Sequence, residues 1–406
     1  MNKTKNNAHI VTFLYWFILL IWQNVRSVGN RGGIDVLIKG GIILFLTGYY
    51  VYKSKKIRTF PLLFATLYAI LALDIFISSG TTFTNFLAYF YPVVLYLLVY
   101  GVGSTFEITR KQLIFILDFL VICVAYIAIY AVLFCREQFS SAFSISTAYG
   151  NELKSFLVSN FEYGMYLSFG IISSILCLEF KQGCKGILKL LYVLAIILFA
   201  VNLVLTFSRT SIIICILMLI IYAIFFKKGK LKYALVLFAV LMVVLWFAVP
   251  EFQSFISEIV FKNNTDSGRN ELANLGLQMF KEGSLYNQLF GIPGYVDIIT
   301  DNLKHSNLHS GYLQILVMNG VKGVVAFVCI MLYELKQNFK LIKEYPEYKN
   351  LAILFIGFDI SVCVVMSVTT CVLFYSSIDS YFLTMMAIII PKFVRNSIIA
   401  GTFENE

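Results

Sequence analysis

Apolar runs of about 17–25 residues recur from residue 9 to residue 394, separated by short polar clusters. Coiled as an α-helix, such a run matches a bilayer: each residue advances about 1.5 Å and the hydrocarbon slab is about 30 Å thick. The runs are continuous, so membrane β-strands, which turn every second residue to lipid, do not fit. Only 13% of residues are charged and the mean hydropathy is +0.83, against roughly 25% charge in soluble domains. The chain reads as an all-α polytopic membrane protein of about twelve transmembrane helices.

Spans are expected near residues 9–25, 34–52, 60–78, 84–103, 113–135, 161–179, 187–206, 210–226, 232–250, 311–333, 351–374 and 378–394. With the N-terminus in the cytoplasm, 21 of the 32 lysines and arginines fall in cytoplasmic segments and nine on the opposite side. That bias orients the chain, because basic residues in short loops stay inside. Both termini are then cytoplasmic, and the longest polar stretch, 251–310, is extracytoplasmic. Residues 1–406, that loop included, are expected to form a single transmembrane domain. The net charge of +10 is spread over inter-helix clusters, which argues against nucleic acid as a partner. The eight cysteines lie mostly inside apolar runs with no metal-ligand spacing, so they read as packing residues, and neither metal nor cofactor is expected.

The 251–310 loop holds most of the concentrated polar chemistry. Asp266 and Ser267 are good N-cap residues for a helix starting near Arg269. Leu272, Leu275, Met279 and Phe280 follow at helical spacing, and Gly283 is a plausible stop, which makes an amphipathic helix. Arg269 in its first turn is either a solvated surface residue or, with free backbone N–H groups, part of an anion-attracting corner. Gly291-Ile292-Pro293-Gly294 breaks the loop. His305 and His309 follow, the second two residues before an apolar run; either is an interfacial polar residue or a working imidazole.

Charges near spans are costly and each needs a reason. Arg209 sits in the tight turn Phe207-Ser208-Arg209-Thr210 between two spans, pointing into a cavity or snorkelling. Lys39, Asp74 and Glu162 fall towards the outer half and line a vestibule or end helices; Asp118 lies near the inner end of its span. Lys322 and Asp359, at matched depth on consecutive antiparallel spans, are expected to form a buried structural ion pair.

The turn Ser208-Arg209-Thr210, the loop elements Ser267-Gly268-Arg269 and Leu289-Phe290-Gly291-Ile292-Pro293-Gly294, then His309-Ser310-Gly311-Tyr312-Leu313 and Asn319-Gly320-Val321-Lys322-Gly323 together resemble the O-antigen ligase and polymerase superfamily, most of all its Wzy-type polysaccharide polymerases. The motifs span about 205–325. Two positions depart from the pattern: Ser310 stands where the family usually has Asn, and Asn319 where it often has an acid. The resemblance implies a GT-C-like fold in the bacterial cytoplasmic membrane. It implies a glycosyltransferase polymerising undecaprenyl-pyrophosphate-linked repeat units into O-antigen, capsular or exopolysaccharide at the outer face. Donor and acceptor are both lipid-linked oligosaccharides in the bilayer, and a flippase and a chain-length regulator are implied as partner proteins. Within it, Arg209 and Arg269 are the expected pyrophosphate ligands and charge stabilisers, His309 the base, and His305 a substrate-binding residue. A ligase moving the glycan to another acceptor remains open, as does a flippase or other transporter of lipid-linked oligosaccharide, although no internal repeat supports the latter.

Overall fold

The computed structural model describes residues 107–143, 152–157, 159–181, 186–225, 269–292, 308–368 and 382–404. Within them every regular element is helical, and six helices are long and apolar enough to cross a membrane. The expected spans before residue 107 and at 232–250 lie outside the described residues. The chain divides into two compact units; the described helices from 110 to 225 belong to one, and residues 107–109 with everything from 269 onward belong to the other.

The first unit contains α1 (Arg110–Phe134), the short α2 (Arg136–Phe143), α3 (Asn160–Phe180), α4 (Gly186–Leu205) and α5 (Arg209–Phe225). α3 is its axis: every residue from Tyr163 to Cys177 is buried. Small residues make that possible, since a Cβ on Gly170 would fall 2.9 Å from Val124 Cγ1 of α1 and 3.0 Å from Phe199 of α4. In a membrane, where burial gains little over lipid, such close packing and hydrogen bonds hold helices together. Ser159 caps α3, with Glu162 completing a capping box; Glu162 therefore serves the helix start. Asp118, at the other end, binds Lys181 Nζ at 2.5 Å and accepts from the Tyr192 hydroxyl, tying α1, α3 and α4.

The second unit contains α6 (Arg269–Glu282), α7 (Leu285–Phe290), α8 (Gly311–Glu344), α9 (Lys349–Val368) and α10 (Phe382–Ile399). α6 spans the amphipathic segment read from the sequence; α7 was not anticipated. α8 holds no proline, yet it breaks at Gly320, where φ is 66° and ψ is −167°. The break is a fold-back. Tyr312 and Phe327 lie edge to face with ring centroids 5.7 Å apart, whereas a straight helix would separate their backbones by about 22 Å. The long arm, 321–344, extends about 36 Å and is by itself enough to cross a bilayer.

This register corrects the expected Lys322–Asp359 pair. Asp359 Oδ2 accepts from Asn338 Nδ2 at 2.8 Å, and Asn338 lies about 24 Å along the same helix from Lys322. The tight turn at Pro346–Tyr348 sets which residues of α8 and α9 face each other, and it lies well beyond the expected end of the span at 333. Lys322 instead holds its Nζ 4.6 Å over the Phe290 ring. Among the described residues a buried ion pair joins Glu334 to Arg395, whose Nη1 also donates to Asn338 Oδ1 at 2.7 Å. Arg395, one residue past the last expected span, is thus buried in α10.

α10 continues past Pro391. Proline has no N–H to offer the carbonyl four residues back. A π turn over Met385–Ile389 precedes it, with the Ile390 N–H reaching back to Met385 O, which widens the helix enough to admit the ring.

Candidate active site

His309 is half-buried and has a left-handed backbone, φ 50°. Histidine is among the residues that tolerate this region, but the conformation costs free energy and marks a place the surrounding structure dictates. The next residue explains part of it. Ser310 is the N-cap of α8 and accepts from the Leu313 N–H at 3.4 Å. Serine is among the best helix-capping residues, so Ser310 meets the local requirement.

Leu308, just before His309, is buried with Leu272, Leu313, Val317 and Met318 in one apolar cluster. Leu272 belongs to the first turn of α6, the turn Arg269 opens. Gly276, one turn on, allows the close approach, since a Cβ there would fall 2.9 Å from Leu308 Cδ1. The start of the Arg269 helix and the His309 turn are therefore packed together within one unit.

The two glycine motifs also meet. Gly291 ends α7 with φ 106°, and a Cβ on it would overlap the Met318 carbonyl. Gly320 faces it, and a Cβ there would overlap the Leu289 carbonyl. The Ile292 N–H donates to Val317 O at 2.8 Å. Gly323 completes the bend, since a Cβ there would stand 2.9 Å from Ile315 Cγ2 of the short arm.

Arg209 opens α5 in the other unit and is exposed. Its turn is held by a seam of buried hydroxyls and one half-buried amide. Ser208 Oγ and Ser211 Oγ are 2.8 Å apart, Ser211 Oγ donates to Phe161 O at 3.2 Å, and Asn160 Nδ2 donates to Thr206 O at 2.9 Å. Ser168 Oγ lies 2.9 Å from Ser211 O. Phe207, two residues before Arg209, is left-handed with φ 51°. The sequence showed the arginine but not this scaffold, because its members come from α3, α5 and the turn between α4 and α5.

Gly164 is where α3 admits Ser211: a Cβ would lie 2.7 Å from both Ser211 Cβ and Oγ. Gly164→Ala is expected to lower stability by about 1–3 kcal/mol through overpacking. Ser211→Gly in the same chain should recover part of the loss despite removing a hydroxyl. Thermal unfolding in detergent reads both; an unchanged melting temperature for Gly164→Ala would contradict the close packing.

His305, Asp266 and Ser267, with Lys39 and Asp74, lie outside the described residues. Arg269 is described as the residue that opens α6.

No curated protein matches the chain. Residues 194–328 match the family model described as O-antigen ligase. The match takes in the Arg209 turn, α6, α7, the His309 turn and the fold-back of α8. Over that stretch, about a third of the chain, the protein is similar to the O-antigen ligase family.

Proposed function

We propose that the protein is a membrane polysaccharide polymerase, using an undecaprenyl-pyrophosphate-linked glycan as donor and a hydroxyl on another lipid-linked repeat unit as acceptor. The family supports the coarser statement, a glycosyl-transfer enzyme acting on lipid-linked oligosaccharide in a membrane. The observation that carries the reading is the packing of the His309 turn against the first turn of the Arg269 helix, inside the matched stretch.

The acceptor hydroxyl attacks the anomeric carbon of the donor. The bond from that carbon to the pyrophosphate oxygen breaks, and undecaprenyl pyrophosphate leaves. His309 takes the hydroxyl proton, a task suited to imidazole because its ordinary titration lies near neutral pH. Arg269 and Arg209 are the proposed phosphate ligands. A guanidinium fork matches two phosphate oxygens at once and stabilises the charge that grows on the leaving group. The polyprenyl tail keeps that pyrophosphate at the membrane edge, and the basic-residue bias of the sequence favours the outer side for all three residues. His305 is the proposed further substrate contact.

The test is turnover of a purified lipid-linked repeat unit by the full-length protein in nanodiscs. A ladder of longer glycans on the lipid is expected. Single transfer to an added acceptor with no ladder would make the protein a ligase, and no covalent product at all would sink the glycosyltransferase reading. Arg269→Lys and Arg209→Lys should each slow the ladder by about 10²-fold, since a point charge does not replace the fork. Wild-type rates in both lysine variants would remove the bidentate role.

A further inference from the structure

We infer that Gly291 and Gly320 are positioning residues, a backbone joint that holds α8 folded back and thereby sets where His309 stands. The inference rests on the proposed role of His309. His309 lies at the tip of the short arm, 311–319, which is about 14 Å long. Nothing covalent bends α8 at Gly320: the helix contains no proline. Glycine permits the bend but does not impose it, since in a helix interior it costs only about 1 kcal/mol relative to alanine. The fold-back therefore needs an outside partner, and α7 with its terminal glycine supplies it.

The partner's contacts are to backbone. In an unbroken helix the Val317 carbonyl would accept from the Val321 N–H; here it accepts from the Ile292 N–H at 2.8 Å. Gly291 approaches Met318 and Gly320 approaches Leu289 so closely that neither position has room for a Cβ. Both glycines have left-handed φ values, 106° and 66°. The Phe290 ring lies under Lys322 Nζ at 4.6 Å and so clips the end of α7 to the start of the long arm. Seating α7 and folding α8 are thus one event. Without the joint the short arm straightens and carries His309 and Leu308 away from Leu272 and the start of α6.

Gly320→Ala should open the joint. Amide hydrogen exchange of peptides covering 285–292 and 311–319 should speed up by about tenfold or more, with peptides of 349–368 unchanged. In the same preparation kcat for the lipid-linked repeat should fall by about 10²-fold with KM little changed, as for a displaced catalytic group. Gly401→Ala is the control, since Gly401 is also left-handed, φ 67°, but a Cβ there meets nothing within 4 Å; it should alter neither readout. Should Gly320→Ala fail to fold, Phe290→Ala loosens the same joint without backbone strain and should raise exchange in 285–292 and lower kcat, both more modestly. Faster exchange with unchanged kcat would overturn the positioning role, and lost kcat with unchanged exchange would overturn the joint. If the wild-type protein turns over no lipid-linked donor, the proposed function fails, while exchange still decides whether the joint exists.

Discussion

His309→Ala is expected to abolish glycan lengthening in cells while protein level and single lipid-linked repeats persist. Loss of a general base typically costs about 10²–10⁴-fold, which takes a polymer ladder below detection. The residue's left-handed backbone adds a second consequence, because alanine is less tolerant of that region than histidine. His309→Asn separates the two effects. Asparagine accepts the left-handed turn and keeps hydrogen-bonding capacity but cannot take up a proton in the reaction. Both variants are expected to be inactive, with His309→Asn retaining the wild-type melting temperature. A full-length ladder from His309→Asn would show that this position supplies a turn and not a proton acceptor.

Arg395→Met is expected to be the most destabilising single change in the α8–α10 bundle. Glu334 is 0% exposed, Arg395 4%, Asn338 0% and Asp359 2%. The guanidinium is the only cation among these four groups and binds both Glu334 and Asn338. Removing it strands a carboxylate in low dielectric, at a typical cost of about 3–5 kcal/mol. Adding Glu334→Met should return part of that, because two apolar side chains then replace a severed pair. Lys322→Met, by contrast, strands neither of these buried carboxylates; the contact with the Phe290 ring that it loses is worth about 0.5–1 kcal/mol where partly exposed. Folded yield by size exclusion and the melting temperature in detergent would rank the three. Arg395→Met melting with the wild type, or Lys322→Met falling furthest, would refute the assignment.

Helix positions were legible because hydropathy and capping act over a few neighbouring residues. The expected spans at 113–135, 161–179, 187–206 and 210–226 match observed helices to within a few residues, and the stop at Gly283 after an Arg269 start matches α6. The end of α8 was misread because Glu334 looks like the first solvated residue past an apolar run. It is instead one of the buried positions Ile330, Glu334, Asn338 and Leu341, which continue the helical spacing with polar members. The polar residues are hidden by partners on α9 and α10, and nothing within α8 announces them.

The candidate residues divide in the same way. Arg209, Arg269 and His309 stood out because charge and imidazole are rare in so apolar a chain: Arg209 and His309 lie at the edges of apolar runs and Arg269 at a helix start in the long polar loop, all local properties of sequence. The fold-back at Gly320, the Ile292–Val317 hydrogen bond and the Glu334–Arg395 pair were decided by tertiary structure alone. Each joins residues about 25 to 60 positions apart, or depends on a glycine that local preference would leave helical. A glycine permits a bend without requiring one, and a buried charge is tolerated only once its counter-charge has been delivered by another helix.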